Sequence, residues 1–475
     1  MRFTAVALDF DGTIAHDSRV PPHVVDGLER LKATGRNLML VTGRELDELL
    51  GIFPEIAVFD RVVAENGALI YYPKDQSRRE LGEPPPPALV DLLVARGVPI
   101  SVGRSIVATV EPHETVVLQT IRELGLELPV IFNKGAVMIL PPGINKASGL
   151  KVALEELGLS ARNLVAAGDA ENDHALLDAA EYSVAVANAI PSLKAAADRV
   201  TVESRGDGVL ELIADLIESD LARTPAVRER RAILVGKDAT GVKVALPPYG
   251  ASILVAGAPK SGKSALTKEL LLCLCKMGYQ FCVLDSRGEY LDFEPAVIFG
   301  TRDHAPDPIE ILSALEKPQT QAVVCLAAVP LRKRSAFFDE FSLAIHALRE
   351  KSGRPHWLVV DEAQELVPKS RAAREEFVAG NAIYVTADPA ALANQLLAAV
   401  DVVAACGSGA RHVLEAYATA LPMARPPEAL HAPGENETLV WWRRMGDAPT
   451  LVTIARATPT QPPLRTGVGK LLRHG

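Results

Sequence analysis

Short apolar runs, each ending in a glycine or a polar residue, set the strongest limit on the fold of this chain. The runs TAVALDF, NLMLVTG and RVVAEN alternate with helix-patterned segments such as residues 22–34. This rhythm predicts parallel strands joined by crossover helices. It stops at the prolines Pro84 to Pro87 and resumes from Lys146. We therefore expect an α/β fold with an insertion.

The same rhythm divides the chain into domains. We expect a Rossmann-like core in residues 1–72 and 144–220, with an inserted α+β cap in 73–143. Residues 221–231 contain a proline, several arginines and little apolar periodicity, which indicates a linker whose charges are solvated. Such a short linker keeps its neighbours close without forcing contact. A second α/β domain follows in 232–460, and 461–475 is expected to be a tail.

Composition excludes several classes of protein. With 475 residues and 48% hydrophobic content, the chain is long enough for about three domains. Its net charge of −9 disfavours a broad nucleic-acid-binding face. No apolar run approaches the roughly 18 residues that span a bilayer, and the five cysteines lack the spacing of a zinc ribbon or a disulfide framework. We expect a cytoplasmic protein with buried thiols and no membrane partner.

Two carboxylates follow the first apolar run. Asp9 and Asp11 are separated by one residue, and Gly12 and Thr13 form a turn after them. One carboxylate can attack phosphorus, while the other protonates the leaving oxygen and then activates water. The string alone also fits an ordinary turn after a strand, so its function depends on what accompanies it.

Later strand ends supply the remaining groups for phosphoryl transfer. Thr42 and Gly43 offer a hydroxyl and a turn N–H for phosphoryl oxygens, and Lys146 offers a cation. Asp169, with Asp9 and the Asp11 carbonyl, would hold Mg²⁺. The side chains expected to support these ligands are Asn172 and Asp173.

These four motifs, with the strings AENGALIYY and VAVANAIPSLKAAADRVT, resemble the haloacid dehalogenase superfamily, in particular its Cof-like branch with a large cap. The resemblance implies that Asp9 is the nucleophile, Asp11 the acid and base, and Asp169 a metal ligand. It also implies a small, sugar-phosphate-like monoester as substrate, chosen by the cap. The polar candidates there are Arg104, Glu111, His113, Asn133 and Lys134.

A second motif lies in the C-terminal half. Residues 257–264 read GAPKSGKS, between an apolar strand pattern and a helix pattern, which is the context of a P-loop, or Walker A motif. We expect Lys263 to reach the outer phosphates of ATP and Ser264 to bind Mg²⁺. The nucleotide-binding residues predicted in this way are Gly257, Lys260, Ser261, Gly262, Lys263, Ser264 and Ala265.

The run WLVVDE places Asp361 and Glu362 at a later strand end, where they would hold magnesium and polarise water. The segment resembles HerA-type ATPases, whose rings imply a homo-oligomer formed through this domain. Two departures stand out: DEAQ replaces the more usual DEAH, and Ala387 stands where relatives often have glutamine. The candidates for an arginine finger, none of which we assign, are Arg332, Lys333, Arg334 and Arg411.

Taken together, the motifs predict a Mg²⁺-dependent phosphatase for a small phosphorylated metabolite, with an appended ATP-binding domain that regulates it. The alternative is a nucleic-acid translocase or repair ATPase with an accessory end-processing phosphatase. The acidic balance and the absence of an aromatic–basic stripe disfavour that alternative. Phosphoryl transfer to an acceptor other than water would use the same first site.

Overall fold

The computed structural model describes residues 1–224, 230–370, 380–421, 432–434, 436–443 and 448–455. The predicted tail, 461–475, and residues 225–229 of the predicted linker lie outside the described residues. The strands of the N-terminal half are β1 (Ala5–Leu8), β2 (Asn37–Val41), β3 (Arg61–Ala64), β4 (Leu69–Tyr72), β5 (Ser77–Glu80), β6 (Ser101–Val102), β7 (Val107–Val110), β8 (Val130–Asn133), β9 (Ala136–Ile139), β10 (Leu164–Gly168), β11 (Tyr182–Ala185) and β12 (Arg199–Val200). Its α-helices are α1 (Pro22–Ala33), α2 (Leu46–Ile52), α3 (Pro87–Ala95), α4 (Glu114–Glu123), α5 (Lys146–Glu156), α6 (His174–Ala179), α7 (Pro191–Ala196) and α8 (Arg205–Ser219).

The first sheet has the order β12-β11-β10-β1-β2-β3-β4-β5. Its strands are parallel from β12 to β3, whereas β4 and β5 are antiparallel additions. The expected all-parallel sheet is therefore mixed. The reason is local, because the connections from β3 to β4 and from β4 to β5 are too short for a crossover and can only form antiparallel pairs.

Helices cover both faces of this sheet. Val6 and Leu8 of β1 pack in the cluster that includes α1 and α8, while Ala5 and Ala7 pack in the cluster that includes α5 and α6. This alternation is the period of two that a strand imposes on its side chains. A strand buried on both faces leaves its carboxyl end as the place where polar side chains can meet.

The small sheet, in the order β6-β7-β9-β8, lies between core elements in the sequence and packs against α3 and α4. Its elements follow one another as α3, β6 and β7, α4, and β8 and β9. Residues 77–80, which the expected cap range 73–143 includes, instead form β5 at the edge of the core sheet. The four-stranded sheet is called the cap below.

The second large sheet lies in the C-terminal half. Its strands are β13 (Ile233–Asp238), β14 (Lys243–Leu246), β15 (Ser252–Ala256), β16 (Phe281–Asp285), β17 (Val297–Phe299), β18 (Ala322–Cys325), β19 (Trp357–Val360), β20 (Ala382–Thr386), β21 (Val402–Cys406), β22 (Glu437–Trp442) and β23 (Thr450–Ile454). The helices are α9 (Lys263–Lys276), α10 (Pro308–Leu315), α11 (Leu331–Ser352), α12 (Ala363–Leu366), α13 (Asn394–Ala399) and α14 (Ala410–Ala420).

The second sheet has the order β14-β13-β23-β22-β21-β15-β20-β19-β16-β18-β17. The strands from β21 to β17 are parallel, and the other four pair antiparallel. β13 and β14 form an antiparallel hairpin. In the part of the chain that the structure describes, no helix has both the length and the apolar character needed to cross a membrane.

The two halves meet in a buried polar interface, which the linker argument did not anticipate. The Tyr279 hydroxyl donates to both Glu181 oxygens, at 2.8 and 2.9 Å. Arg162 and Arg2 form ion pairs with the same carboxylate. His356 Nε2 lies 3.0 Å from Asn163 Oδ1. The halves are therefore in direct contact through fixed hydrogen bonds.

Two arginines of the predicted linker also differ from expectation. Arg230 pairs with Asp198, and Arg231 donates to the carbonyl oxygen of Ala180 at 2.9 Å. Both side chains are largely buried. The reason is the end of α6, where carbonyl groups lack helical partners and attract cations. These two linker arginines therefore bind the N-terminal core and are not solvated.

Candidate active site

The two side chains at the centre of the first site come from elements far apart in the sequence. Asp9 follows β1 and is buried, and its Oδ2 accepts a hydrogen bond from Thr13 at 3.1 Å. The other oxygen, Oδ1, accepts from Lys146 Nζ at 2.6 Å. Lys146 opens α5, whose start is fixed by reciprocal hydrogen bonds between Asn145 and Ser148. The carboxylate of Asp9 is therefore held at both oxygens.

Lys146 lies between two carboxylates. Its ammonium donates to Asp173 Oδ1 at 2.7 Å, and Asp173 Oδ2 accepts from the N–H groups of Asp169 and Ala170. Burial disfavours the charged ammonium, but Asp173 and Asp9 outweigh it and raise the pKa of Lys146. Asp173, which the sequence placed in a supporting role, thus contacts the cation directly. Asn172 donates to Asn66 at 2.9 Å.

The acidic side chains near Lys146 fit a divalent cation. Asp9, Asp169 and Asp173 each offer an oxygen, and these oxygens lie within 4.8 Å of one another. Asp169 Oδ1 is buried without a hydrogen-bond partner. Burial, and then the charge of Asp173, raise the pKa of Asp9 to about 7 against the effect of Lys146. A hard cation would satisfy the unpartnered oxygen and favour the ionised carboxylates.

Asp11 has a partner that the sequence analysis missed. Arg44 donates from Nε and Nη2 to the two Asp11 oxygens, both at 2.7 Å. The hydrogen bond to Asp11 is the largest of the effects that raise the pKa of Arg44. Asp11 is partly exposed, so this fork holds it at the mouth of the site. The arginine of the VTGR string was the available signal.

Thr42 and Gly43 form the turn after β2. The Thr42 hydroxyl is buried and accepts from the Arg44 N–H at 3.1 Å. A side chain at Gly43 would come within 3.0 Å of Asn66. Gly12 is also constrained, because its φ is +84° and a Cβ there would lie 2.1 Å from Asp169 Oδ2. Neighbouring side chains therefore leave little room for a Cβ at either position.

Several groups of the cap contact the core near this site. Buried Glu65 accepts from the N–H groups of Arg104 and Ser105, at 3.1 and 2.9 Å. Lys134 Nζ donates to Asp169 Oδ2 at 2.5 Å and lies 3.4 Å from the Asp11 carbonyl oxygen. Of the polar cap candidates, the structure therefore brings Lys134 into the site. The Arg104 guanidinium faces Asp47, while Glu111 and His113 lie between β7 and α4.

Comparison with known proteins identifies the N-terminal half. A family model of haloacid dehalogenase-like hydrolases matches residues 6–85 and 106–213. A phosphoglycolate phosphatase from Methanothermobacter thermautotrophicus is 30% identical over 217 residues, which are 44% of this chain and 96% of that protein. The chain belongs to the haloacid dehalogenase-like hydrolases. The expectation of a Cof-like hydrolase domain in the N-terminal half is confirmed.

Other relatives of this hydrolase cover the same region. Phosphoglycolate phosphatase 2 from Saccharolobus solfataricus is 30% identical over 228 residues, which are 46% of this chain and 94% of that protein. A solved haloacid dehalogenase-like hydrolase from Bacteroides thetaiotaomicron is 20% identical, with a TM-score of 0.40, and the match covers 45% of this chain and 99% of that one.

A second candidate site lies in the C-terminal half, at the carboxyl end of β15. Gly262 has a φ of +95°, which lets the loop turn into α9. Lys263 Nζ donates to the carbonyl oxygens of Gly257 and Ala258, at 2.8 and 3.1 Å. Ser264 Oγ donates to Glu289 at 2.7 Å. The loop from Gly257 to Ala265 therefore has the strand–turn–helix form that the sequence predicts.

Acidic side chains face this loop. Asp361 follows β19, is buried, and has an Oδ2 without a hydrogen-bond partner. Burial, followed by Asp285 and Glu289, raises the pKa of Asp361 to about 8. Asp361 therefore lies near two further carboxylates on the side of the sheet that carries the loop.

Gln364, the residue that distinguishes DEAQ from DEAH, links two further parts of this site. Its side-chain N–H donates to Glu362, and its Oε1 accepts from Thr386 Oγ1 at 2.7 Å. Thr386 ends β20 and precedes Ala387. An amide is therefore present beside Glu362, although it comes from α12 and not from position 387. Of the arginine-finger candidates, Arg334 pairs with Glu365 and Arg411 with Glu415.

Proposed function

We propose that the N-terminal half is a Mg²⁺-dependent phosphatase for a small phosphate monoester that carries a carboxylate. The buried group of Asp9, Lys146 and Asp173 beside the unpartnered oxygen of Asp169 carries this proposal. The names of the relatives, phosphoglycolate phosphatases, suggest a two-carbon acid as substrate. Lys134 of the cap supplies a cation for such a carboxylate.

The residues divide the chemistry between two steps. Asp9 forms a bond to phosphorus while the ester P–O bond breaks, and Asp11 protonates the leaving oxygen. Asp11 then accepts a proton from water, whose oxygen bonds to phosphorus as the Asp9–phosphorus bond breaks. Arg44 donates to both Asp11 oxygens, so Asp11 must release one of these hydrogen bonds before that oxygen can reach the leaving group. A bound Mg²⁺ supplies charge neutralisation at the phosphoryl oxygens.

The test is phosphate release from a panel of monoesters in the presence of Mg²⁺. The panel pairs phosphoglycolate with ethyl phosphate, which lacks the carboxylate, and includes sugar monophosphates. We expect the highest kcat/KM with phosphoglycolate and no turnover after Mg²⁺ is removed. Equal turnover of ethyl phosphate would remove the carboxylate from the proposal, and no release from any monoester would refute the phosphatase itself.

We further propose that ATP binding at the P-loop of the C-terminal half regulates this phosphatase. Support comes from helices α5 and α9, which begin with Lys146 and Lys263. Both helices line one cavity of about 710 Å³ between the halves. A shift of either helix can therefore reach the other site through packed side chains.

Nucleotide dependence of the phosphatase tests this coupling. We expect ATP binding, more than hydrolysis, to change the kinetics, so a non-hydrolysable analogue should act like ATP and unlike ADP. The comparison uses the intact chain and Lys263→Ala, because the buried contacts of Glu181 make a shortened chain a poor control. Identical kinetic constants with and without nucleotide would leave the two sites uncoupled.

A further inference from the structure

A cap lysine reaches into the candidate metal site. Lys134 lies in the turn between β8 and β9, with a φ of +48°. Its side chain is 45% exposed, whereas that of Asp169, which it contacts, is 1% exposed. The ammonium thus enters from the solvent side and covers a buried carboxylate.

The partners of this ammonium are the oxygens expected to bind magnesium. Lys134 Nζ donates to Asp169 Oδ2 and lies 3.4 Å from the carbonyl oxygen of Asp11. A Cβ on Gly12 would approach both Asp169 Oδ2 and Lys134 Nζ, at 2.1 and 2.7 Å, which shows how crowded this point is. An ammonium and a divalent cation repel each other and compete for the same lone pairs, so they cannot share these oxygens.

We propose that Lys134 is a tethered cation that holds the cap on the core without metal and is displaced when a divalent cation binds. This proposal rests on the metal site of the proposed function, but not on turnover. Displacement frees one side of the cap only, because Glu65 continues to accept from Arg104 and Ser105. Metal binding and cap movement are thereby coupled.

The coupling makes a clear prediction for metal affinity. If the closed, Lys134-bound state dominates without metal, the apparent affinity for Mg²⁺ is the intrinsic affinity multiplied by the small fraction of protein that is open. Removing the ammonium removes this competition. We expect the Lys134→Ala protein to bind Mg²⁺ about two- to fivefold more tightly, the upper range of what a partly exposed ion pair contributes.

Isothermal titration of Mg²⁺ into the metal-stripped full chain measures this effect. Lys134→Gln gives a second variant that keeps a hydrogen-bond donor but removes the charge, and it should also bind more tightly. Arg122→Ala removes a charge from an exposed position of the cap and should match the unaltered protein. Unchanged or weaker binding by both Lys134 variants, or no binding by any protein, would overturn the proposal.

Hydrogen–deuterium exchange provides a readout that is independent of affinity. In the unaltered chain, Mg²⁺ should increase exchange across β8 and β9, and the Lys134→Ala protein should show the increased exchange before metal is added. Equal protection with and without Mg²⁺ in the unaltered chain would also overturn the proposal. Loss of phosphatase activity with an intact metal effect would instead refute only the proposed reaction.

Discussion

The two candidate phosphate sites each place a lysine at the first residue of a helix that follows a turn, but the lysines have different partners. Lys146 is held by the carboxylates of Asp9 and Asp173, at 2.6 and 2.7 Å. Lys263 is held by the carbonyl oxygens of its own loop. The first cation is therefore paired directly with charged neighbours, whereas the second donates to neutral carbonyl oxygens.

This difference separates a site built for reaction from one built for binding. A lysine between two carboxylates adds little net attraction for a phosphate, so it serves mainly to orient Asp9, and a metal must supply the positive charge. A lysine on neutral carbonyls can exchange them for phosphate oxygens with a large gain in Coulomb energy. We therefore expect the first contact with phosphate to require a metal ion more strongly in the N-terminal site than in the C-terminal site.

The largest expected effect comes from removing the charge of Asp9. Asp9→Asn should reduce phosphatase turnover by at least about 10³-fold, because the amide cannot attack phosphorus. Nucleotide binding by the C-terminal half should remain. Phosphate release and nucleotide titration are measured on the same preparation, with the exposed Asp26→Asn as a control. A residual rate near that of the control would show that Asp9 is not the nucleophile.

Lys263→Ala tests the other lysine. Loss of charged hydrogen bonds to phosphate should weaken nucleotide binding by about 10- to 100-fold and abolish hydrolysis. Basal phosphatase activity on a small monoester should persist, because the two sites use separate ligands. Fluorescent nucleotide titration measures the first effect, and Lys237→Ala on β13 is the matched control. Loss of both activities in a folded protein would mean that the sites are one composite centre.

Gln364→Ala sharpens the comparison within the C-terminal site. Without the amide, Glu362 loses its link to Thr386, and misplacement of a water-activating group costs up to about 100-fold in rate. We expect slower ATP hydrolysis with unchanged nucleotide affinity. Gln364→His, the more usual residue, should restore part of the rate because it keeps a donor. Equal losses of rate and affinity would indicate a structural role only.

The smallest expected effect concerns the interface between the halves. His356 is buried, and burial, with nearby arginines, lowers its pKa well below the ordinary value. The unfolded chain therefore binds a proton that the folded chain does not, so the free energy of unfolding should fall as pH drops below about 6.5, by about 1.4 kcal/mol per unit. Chemical denaturation between pH 7.5 and 5.5 measures this slope.

His356→Gln should lack that part of the slope, while the exposed His412→Gln should keep it. The same slope in all three proteins would assign the pH dependence to other groups.

Elements with strong local patterns were predictable from the sequence. Three of these patterns depend only on neighbouring residues. The apolar run before Asp9 forms β1, the proline cluster ends where α3 begins, and the segment after the glycine-rich loop forms α9. The shared edge of the parallel sheet accounts for Asp9, Thr42 and Asp169, which follow β1, β2 and β10, whereas Lys146 opens α5 after the cap strand β9.

Pairings that depend on tertiary geometry were not predictable. The VTGR string marks Arg44 as a polar candidate, but it does not identify Asp11 as the partner, because the pairing depends on how two turns face each other. Docking of Arg230 and Arg231 depends on the unpaired carbonyls at the end of α6, which the linker composition does not reveal. The sequence shows that position 387 lacks an amide. It does not show that Gln364 of α12 places one beside Glu362.

The burial of Glu181 has a consequence for how this chain can evolve. A carboxylate that is almost fully covered and held by Tyr279, Arg162 and Arg2 would lose a buried hydrogen bond from across the interface if Tyr279 were replaced. Substitutions on the two sides should therefore be inherited together, and the halves should not be freely exchangeable with those of other proteins. Correlated changes at positions 181 and 279 among relatives that contain both halves would be the genetic record of this constraint.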